Sequence, residues 1–476
     1  MNKILKRVLL SLIIGIFCFS LIACKKNNNN NNDNNGNNGG GNNPNMNDEY
    51  YQSLLDEFLP DVVEDNIDLP AQKDNVYFVW SSSDERTISR RGIVNRGRKD
   101  IVVTMSMEVI IDDTVGIYSK EVTVPAITFP DLRPGKIVFG YYSTWHYDGY
   151  SNLKKNVDVI NLSFAYVYPN FTLDMSQVDK NIDNYLSVRK YGVRVVLSVQ
   201  GYGANGQNFS DAASTAEGRK KLADEMLKVV ETYHFDGIDI DWEYPTYETS
   251  RPVADKENYT LLMQTIYATF KMANEDYLVT AALPGGAYGY KRYNLKDVEP
   301  YIDYLHLMTY DLEASGLAVH HSALYVSNGT AQSASADASV EIYNLRGFPM
   351  SKIVIGIAFY GKYTSLSNPG TSILRKQTSG SYKTLTYESI YSNYISKIGN
   401  GVTRYWDSTA QAPYLYDENR GHFVTYEDEQ SIEAKCKYAR DNSLAGVMIW
   451  ELGEDYEDRL LEAVFDGMRI SIEDFE

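Results

Sequence analysis

Asp236-Gly237-Ile238-Asp239-Ile240-Asp241-Trp242-Glu243-Tyr244-Pro245 alternates acids with apolar side chains. On a β-strand successive side chains point to opposite faces. The acids Asp239, Asp241 and Glu243 therefore share one face, and Ile238, Ile240 and Trp242 share the other. At roughly 3.3 Å rise per residue, neighbouring carboxylates on that face lie about 6–7 Å apart. Like charges that close oppose one another's ionisation, so at least one carboxyl is expected to keep its proton to higher pH than a free acid. A proton held on the last residue of a strand is what a general acid needs. Two other readings fit the segment taken alone. One is a solvated edge strand, against which the aliphatic and tryptophan face argues. The other is a hard-metal site, since carboxylates ligate magnesium and calcium.

Outward from this strand a rhythm appears. After the break at Leu132-Arg133-Pro134-Gly135, apolar strand-like runs fall at 137–141, 159–164, 193–199, 237–242, 278–282, 304–308, 353–358 and 446–449, each followed by a helical stretch. Eight such runs alternating with helices predict a parallel (β/α)8 TIM barrel over about 136–471. In that architecture functional side chains gather at the C-terminal ends of the strands, where Glu243 falls on the fourth and Trp450 on the eighth. The gap between the seventh and eighth strands is longer than the others. Residues from about 362 to 424 are rich in Tyr, Ser, Thr and Gly and are read as an inserted α+β subdomain, because a structureless loop of that length is uncommon.

Upstream the chain changes character. Residues 48–130 carry short β-rich runs at 76–80, 101–110 and 119–124, separated by Ser, Asp, Asn and Gly clusters. Trp80-Ser81-Ser82-Ser83, Gly92-Ile93-Val94 and Val122-Thr123-Val124 resemble small bacterial immunoglobulin-like domains, which implies an all-β sandwich acting as a spacer. Residues 24–47 are almost all Asn and Gly and are expected to form a flexible tether, reaching on the order of 25–30 Å as a random coil. Before it, Lys3, Lys6 and Arg7 precede an apolar run that ends in Leu21-Ile22-Ala23-Cys24. That ending resembles a bacterial lipobox. It implies a signal peptide over 1–23, cleavage before Cys24, a diacylglyceryl group on its thiol, and a membrane-anchored protein on the bacterial cell surface. Cys18 leaves with the signal and Cys24 carries lipid, so Cys436 is left without a partner for an internal disulfide.

With 476 residues the chain is long enough for two or three domains. A formal charge of -18 argues against nucleic acid or any polyanion as partner.

The barrel segment resembles family 18 glycoside hydrolases, the chitinase family. The resemblance rests on the Asp236 to Pro245 run together with Met308-Thr309-Tyr310-Asp311, His320-His321-Ser322-Ala323-Leu324-Tyr325, Phe359-Tyr360-Gly361 and Gly446-Val447-Met448-Ile449-Trp450. It implies cleavage of β-1,4-linked N-acetylglucosamine, with the substrate's own acetamido oxygen attacking the anomeric carbon. All three acids project from one strand, so none is well placed to attack from the opposite side of the sugar, as an ordinary retaining pair would. By resemblance Glu243 protonates the leaving oxygen, Asp241 orients the acetamido group, Asp239 shares a proton with Asp241, and Tyr310 holds the acetamido oxygen. Met308, Asp311 and Trp450 line the same subsite, and Tyr141, Phe164 and Tyr360 complete its walls.

The departures are specific. Where the family commonly has Ser-x-Gly-Gly and then Trp, this chain has Ser198-Val199-Gln200-Gly201-Tyr202, so Tyr202 is the candidate platform on the leaving-group side. Lys362 stands where an arginine is common, and no aromatic platform is evident at residues 313–316.

The resulting expectation is an endo-acting chitinase. An endo-β-N-acetylglucosaminidase on N-glycan cores and a non-catalytic chitin-binding lectin are the alternatives. No cofactor or metal is expected, because no His or carboxylate cluster beyond Asp311 is evident. The expected partners are chitin or N-acetylglucosamine-containing oligosaccharides and, through the N-terminal lipid, a membrane, with the protein itself a monomer.

Overall fold

Eight parallel strands close on themselves in the computed structural model, which describes residues 47–73, 76–111, 114–145, 157–247, 249–313, 316–327, 334–367 and 373–469. In chain order the barrel strands are Ile137–Ser143, Val159–Val167, Arg194–Tyr202, Gly237–Glu243, Leu278–Pro284, Tyr304–Met308, Ile353–Ala358 and Gly446–Trp450. Each is hydrogen-bonded to its sequence neighbours, and the eighth pairs with the first. These strands are buried on both faces. Every residue of the first is buried, the signature of a parallel sheet with helices outside and packed side chains inside.

On the fourth strand Ile238, Ile240 and Trp242 turn outward. Trp242 stacks on Phe209 of the helix Ala204–Ala213, with ring centroids 5.5 Å apart. Asp239 and Asp241 turn inward, so an apolar outer face fixes the orientation of an acidic inner one. Gly237 opens this strand because a Cβ there would lie 2.2 Å from the Leu278 carbonyl oxygen.

Between the seventh and eighth strands lies a five-stranded antiparallel sheet. It runs from Tyr360–Ser365 through Lys383–Thr386, Val402–Asp407 and Ala412–Asp417 to His422–Thr425, with the helix Tyr387–Asn393 beside it. Its first strand starts two residues after the seventh barrel strand ends, so Tyr360 belongs to both the sheet and the rim of the barrel.

Residues 48–124 do not match the sandwich expected of them. The described residues form a single four-stranded antiparallel sheet, Gln72–Lys73, Val76–Ser82, Ile101–Ile111 and Thr114–Val124 in that order, covered by a helix over Asp48–Phe58. Tyr51, Leu54 and Leu55, spaced as one helical face, take the place of a second sheet. Tyr51 packs on Tyr118, and Phe58 on Phe78 and Trp80.

This segment is tied to the N-terminal end of the barrel. Arg98 reaches Asp236, the residue before the fourth strand, with Nε 2.9 Å from Oδ1. Arg189 donates to the same carboxylate through Nε (2.9 Å) and Nη2 (2.8 Å), and the Val195 N–H completes the set at 2.9 Å. The Thr87 hydroxyl lies 2.8 Å from His234 Nε2. The expected signal, lipidated Cys24 and most of the tether lie outside the described residues. No helix among the described residues is long and apolar enough to cross a membrane. Cys436, in the helix Glu429–Asp441, is buried and unbridged.

Candidate active site

At the C-terminal rim the strand ends surround a cavity of about 310 Å³. Eight of the residues expected at a sugar site line it: Tyr141, Asp241, Glu243, Met308, Tyr310, Asp311, Tyr360 and Trp450. The other three expected positions lie elsewhere. Asp239 is one layer deeper in the barrel. Phe164 is buried behind Trp450, its ring stacked on the indole at 5.6 Å, so it backs the platform rather than touching the cavity. Tyr202 is 61% exposed and outside the cavity lining, because the third strand ends there and leaves the ring facing solvent. Non-proline cis peptide bonds occur at Ser163–Phe164, Glu243–Tyr244 and Trp450–Glu451.

Asp239 is held by hydroxyls from three strands. Tyr141 donates to Oδ2 at 2.8 Å, Ser198 to Oδ2 at 2.7 Å and Thr280 to Oδ1 at 2.6 Å. His306 Nδ1 lies 3.6 Å from Oδ1. Burial lowers the imidazole pKa to about 4 although the Asp239 charge pulls the other way, so His306 is neutral at neutral pH.

Asp241 has a different surrounding. Its buried Oδ1 has no hydrogen-bond partner, and no hydrogen bond joins it to Asp239. The expected link between the two acids is therefore through space. Burial first, then the charges of Glu243 and Asp239, push the Asp241 pKa well above the usual carboxylate range. Glu243 is also raised, mainly by burial, with Asp311 adding and a hydrogen bond to Tyr244 opposing. Both directions favour a proton in the cleft, as a general acid requires.

Across the cavity the Tyr310 hydroxyl makes, among the described residues, a single weak contact to the Met448 sulfur at 3.9 Å, which leaves it able to donate to a ligand. Trp450 lies at 5.5 Å from the Tyr141 ring and offers an aromatic floor. Asp311 is in the left-handed backbone region (φ 58°), uncommon for a non-glycine residue and frequent at functional sites. Tyr360 donates to its Oδ1 at 2.6 Å, and Lys362 lies 2.8 Å from the same oxygen and 2.5 Å from Glu313 Oε1. Burial pushes the Asp311 carboxyl up, but His321 and Lys362 outweigh it and hold the pKa below the usual range.

The sequence expectation of no further cluster is corrected here: ligand atoms of Asp311, Glu313 and His321 lie within 4.8 Å of one another. The Lys362 ammonium, bonded to both acids, already supplies their countercharge.

Several residues were not anticipated. Tyr244, Ala282, Pro284, Gly285 and Leu312 also line the cavity, as does Gln200, which the sequence marked only as a departure from the family motif. The strand-end rule could have found Gln200 and Tyr244, which sit at the ends of the third and fourth strands. Thr280 and His306 carry no local signal, since they meet Asp239 only when the barrel closes.

Fold and cleft together define a (β/α)8-barrel protein with a carboxylate-centred site on its C-terminal rim. Residues 137–455 match Glycosyl hydrolases family 18, and the chain belongs to that family. It is 30% identical over 297 residues to Chitinase A1 of Niallia circulans, covering 57% of this chain and 42% of that protein. It is 29% identical over 347 residues to Chitinase B of Serratia marcescens, covering 59% and 68%. The chain thus spans less than half the length of the first of these relatives. Among solved structures, a family 18 N-acetylglucosaminidase from Paenibacillus barengoltzii is similar at 34% identity and a TM-score of 0.65, covering 70% of this chain and 99% of that one.

Proposed function

We propose that this protein is a chitinase, hydrolysing β-1,4 N-acetylglucosamine linkages internally with retention of configuration. Glu243 gives its proton to the leaving oxygen while the acetamido oxygen of the bound sugar attacks the anomeric carbon. The bond to the leaving oxygen breaks and a cyclic oxazolinium forms. Glu243, now a carboxylate, then takes a proton from water, which attacks the anomeric carbon and reopens the ring. Asp241 accepts from the acetamido N–H and Tyr310 donates to its oxygen, while Trp450 stacks beneath the ring. Burial, with the neighbouring acids Glu243 and Asp239, favours a proton on Asp241, and three hydroxyls fix Asp239 in place beside it.

The observation that carries this reading is the pairing inside one cavity of two groups without adequate partners: the buried Asp241 Oδ1 and the Tyr310 hydroxyl. An acetamido group offers one donor and one acceptor, which suits both. The relatives named as chitinases support the substrate class. A second reading, release of single N-acetylglucosamine units, is favoured by the 34% identity to an N-acetylglucosaminidase over nearly the whole of that chain.

The same proposal takes residues 1–23 as a lipoprotein signal, Cys24 as the lipidated residue at the cell surface, and 24–47 as the tether. It takes 48–130 as a spacer and 136–471 as the catalytic part. The Arg98 and Thr87 bonds support a spacer fixed to the barrel rather than a swinging one.

Mass-spectrometric product analysis on colloidal chitin, chito-oligosaccharides and a high-mannose glycoprotein, run side by side, tests the activity. Di- and trisaccharide products from chitin are expected, with the glycoprotein untouched. Monosaccharide alone supports the second reading. Intact glycan release would replace both with an endo-β-N-acetylglucosaminidase. Binding without any product would leave a lectin.

A further inference from the structure

Gln200 contributes the one carboxamide among the described residues lining the cavity. Its place is fixed by strand register. Ser198 of the same strand faces inward, since its hydroxyl bonds Asp239, and the period of two turns Gln200 the same way. Across the pair of strands Ser198 lies opposite Asp239, Gln200 opposite Asp241 and Tyr202 opposite Glu243. The carboxamide is thus the immediate neighbour of both acids on the third-strand side of the cleft.

Among the described residues no side chain is hydrogen-bonded to it, and Asp241 beside it has a buried oxygen without a partner. A half-buried amide at the wall of a polar cavity presents two donors and an acceptor to whatever fills it, water or a ligand. The chemistry of the reading above narrows what that ligand is. The sugar cleaved at its anomeric carbon stacks on Trp450 of the eighth strand, with its acetamido group between Asp241 and Tyr310. The oxygen that Glu243 protonates belongs to the next sugar, which must leave past Glu243, away from Trp450. The third-strand wall formed by Gln200 and the exposed Tyr202 borders that path.

We propose that Gln200 is a specificity-determining residue for the leaving side of the substrate. Its carboxamide hydrogen-bonds a hydroxyl or acetamido group of the sugar that departs. This rests on the glycosidase reading and adds to it a preference for a carbohydrate over a bare alcohol as leaving group. The volume-conserving exchange Gln200→Leu keeps the wall and removes the hydrogen bonds, and Gln200→Ala opens the wall.

The test compares kcat/KM on chitotetraose, whose leaving group is a sugar, with kcat/KM on an aryl chitobioside, whose leaving group is a phenol-type dye. For Gln200→Leu the ratio of the two is expected to fall about tenfold from wild type, the loss of roughly one hydrogen bond to a neutral partner. Gln200→Ala should shift the ratio in the same direction, so a folding defect in one variant does not decide the matter. Equal losses on both substrates would assign Gln200 to Asp241, Glu243 or the fold and overturn the inference alone. An unchanged ratio overturns it as well. Wild-type protein inert on both substrates overturns the glycosidase reading and this inference with it.

Discussion

Asp236 and Asp241 are five residues apart, both buried, and opposite in chemistry. Asp236 sits at the N-terminal mouth of the barrel with four donors on its two oxygens, three of them from guanidinium groups. Burial alone would raise its pKa, but the charge and hydrogen bonds of Arg189, with Arg98 and the Val195 N–H, hold it below the usual range. Asp241 sits at the other end of the same strand with acids for neighbours, and its pKa is driven up. Burial fixes neither outcome. What surrounds the carboxylate decides whether it serves as a permanent anion that fastens the barrel to the segment beneath it or as a proton-holding group facing substrate.

The contrast can be broken at either end. At the rim, Glu243→Gln removes the transferable proton and should lower kcat on chito-oligosaccharides by about 10³-fold or more, with an unchanged melting temperature. Retention of full activity would remove Glu243 from the mechanism. At the base, Arg189→Met strips two hydrogen bonds from a buried anion. Urea denaturation should show a loss of about 3–5 kcal/mol, the usual cost of orphaning one partner of a buried pair. A loss below about 1 kcal/mol would mean that Arg98 alone suffices.

Smaller effects sharpen the same comparison. Tyr310→Phe deletes one donor aimed at the developing charge and should cost about 10²-fold in kcat. It should leave stability nearly as it was, because the hydroxyl has only a sulfur contact to lose.

The pH dependence of stability separates the two aspartates by sign. Asp236 has a lowered pKa, so its stabilisation is present above the unfolded value near 4 and is lost as pH falls through the folded value. Asp241 has a raised pKa, so its neutral form stabilises below about 4, and that contribution is lost as pH rises toward the folded value. Asp241→Asn should therefore gain on wild type in urea midpoint as pH rises from 4 to 8. A variant that loses ground over that range would contradict the assignment.

Much of this was legible in the chain itself. Period-two alternation from Ile238 to Glu243 placed the acids on one face, and eight apolar runs gave the barrel and put Glu243 and Trp450 on its rim. The ends were less so. Third-strand pairing continues to Tyr202, three residues past the apolar run, because main-chain bonds to the fourth strand extend it where hydrophobicity no longer marks it. The helix over Asp48–Phe58 was missed because its apolar stripe is only three residues wide among acids.

Local pattern determines strand direction and facing, since side-chain alternation is a property of the strand alone. Which groups meet across the barrel is decided only by closure. Tyr141, Ser198 and Thr280 are 98, 41 and 41 residues from Asp239 and come into hydrogen-bond range through shear and register. The same closure sets Arg98 and Arg189 under Asp236, stacks Phe164 behind Trp450, and sets Gln200 beside Asp241. The sequence by itself supplied the row of acids. Tertiary structure decided which of them carries a permanent charge, because a carboxylate's state depends on its neighbours in space and not on its neighbours in the chain.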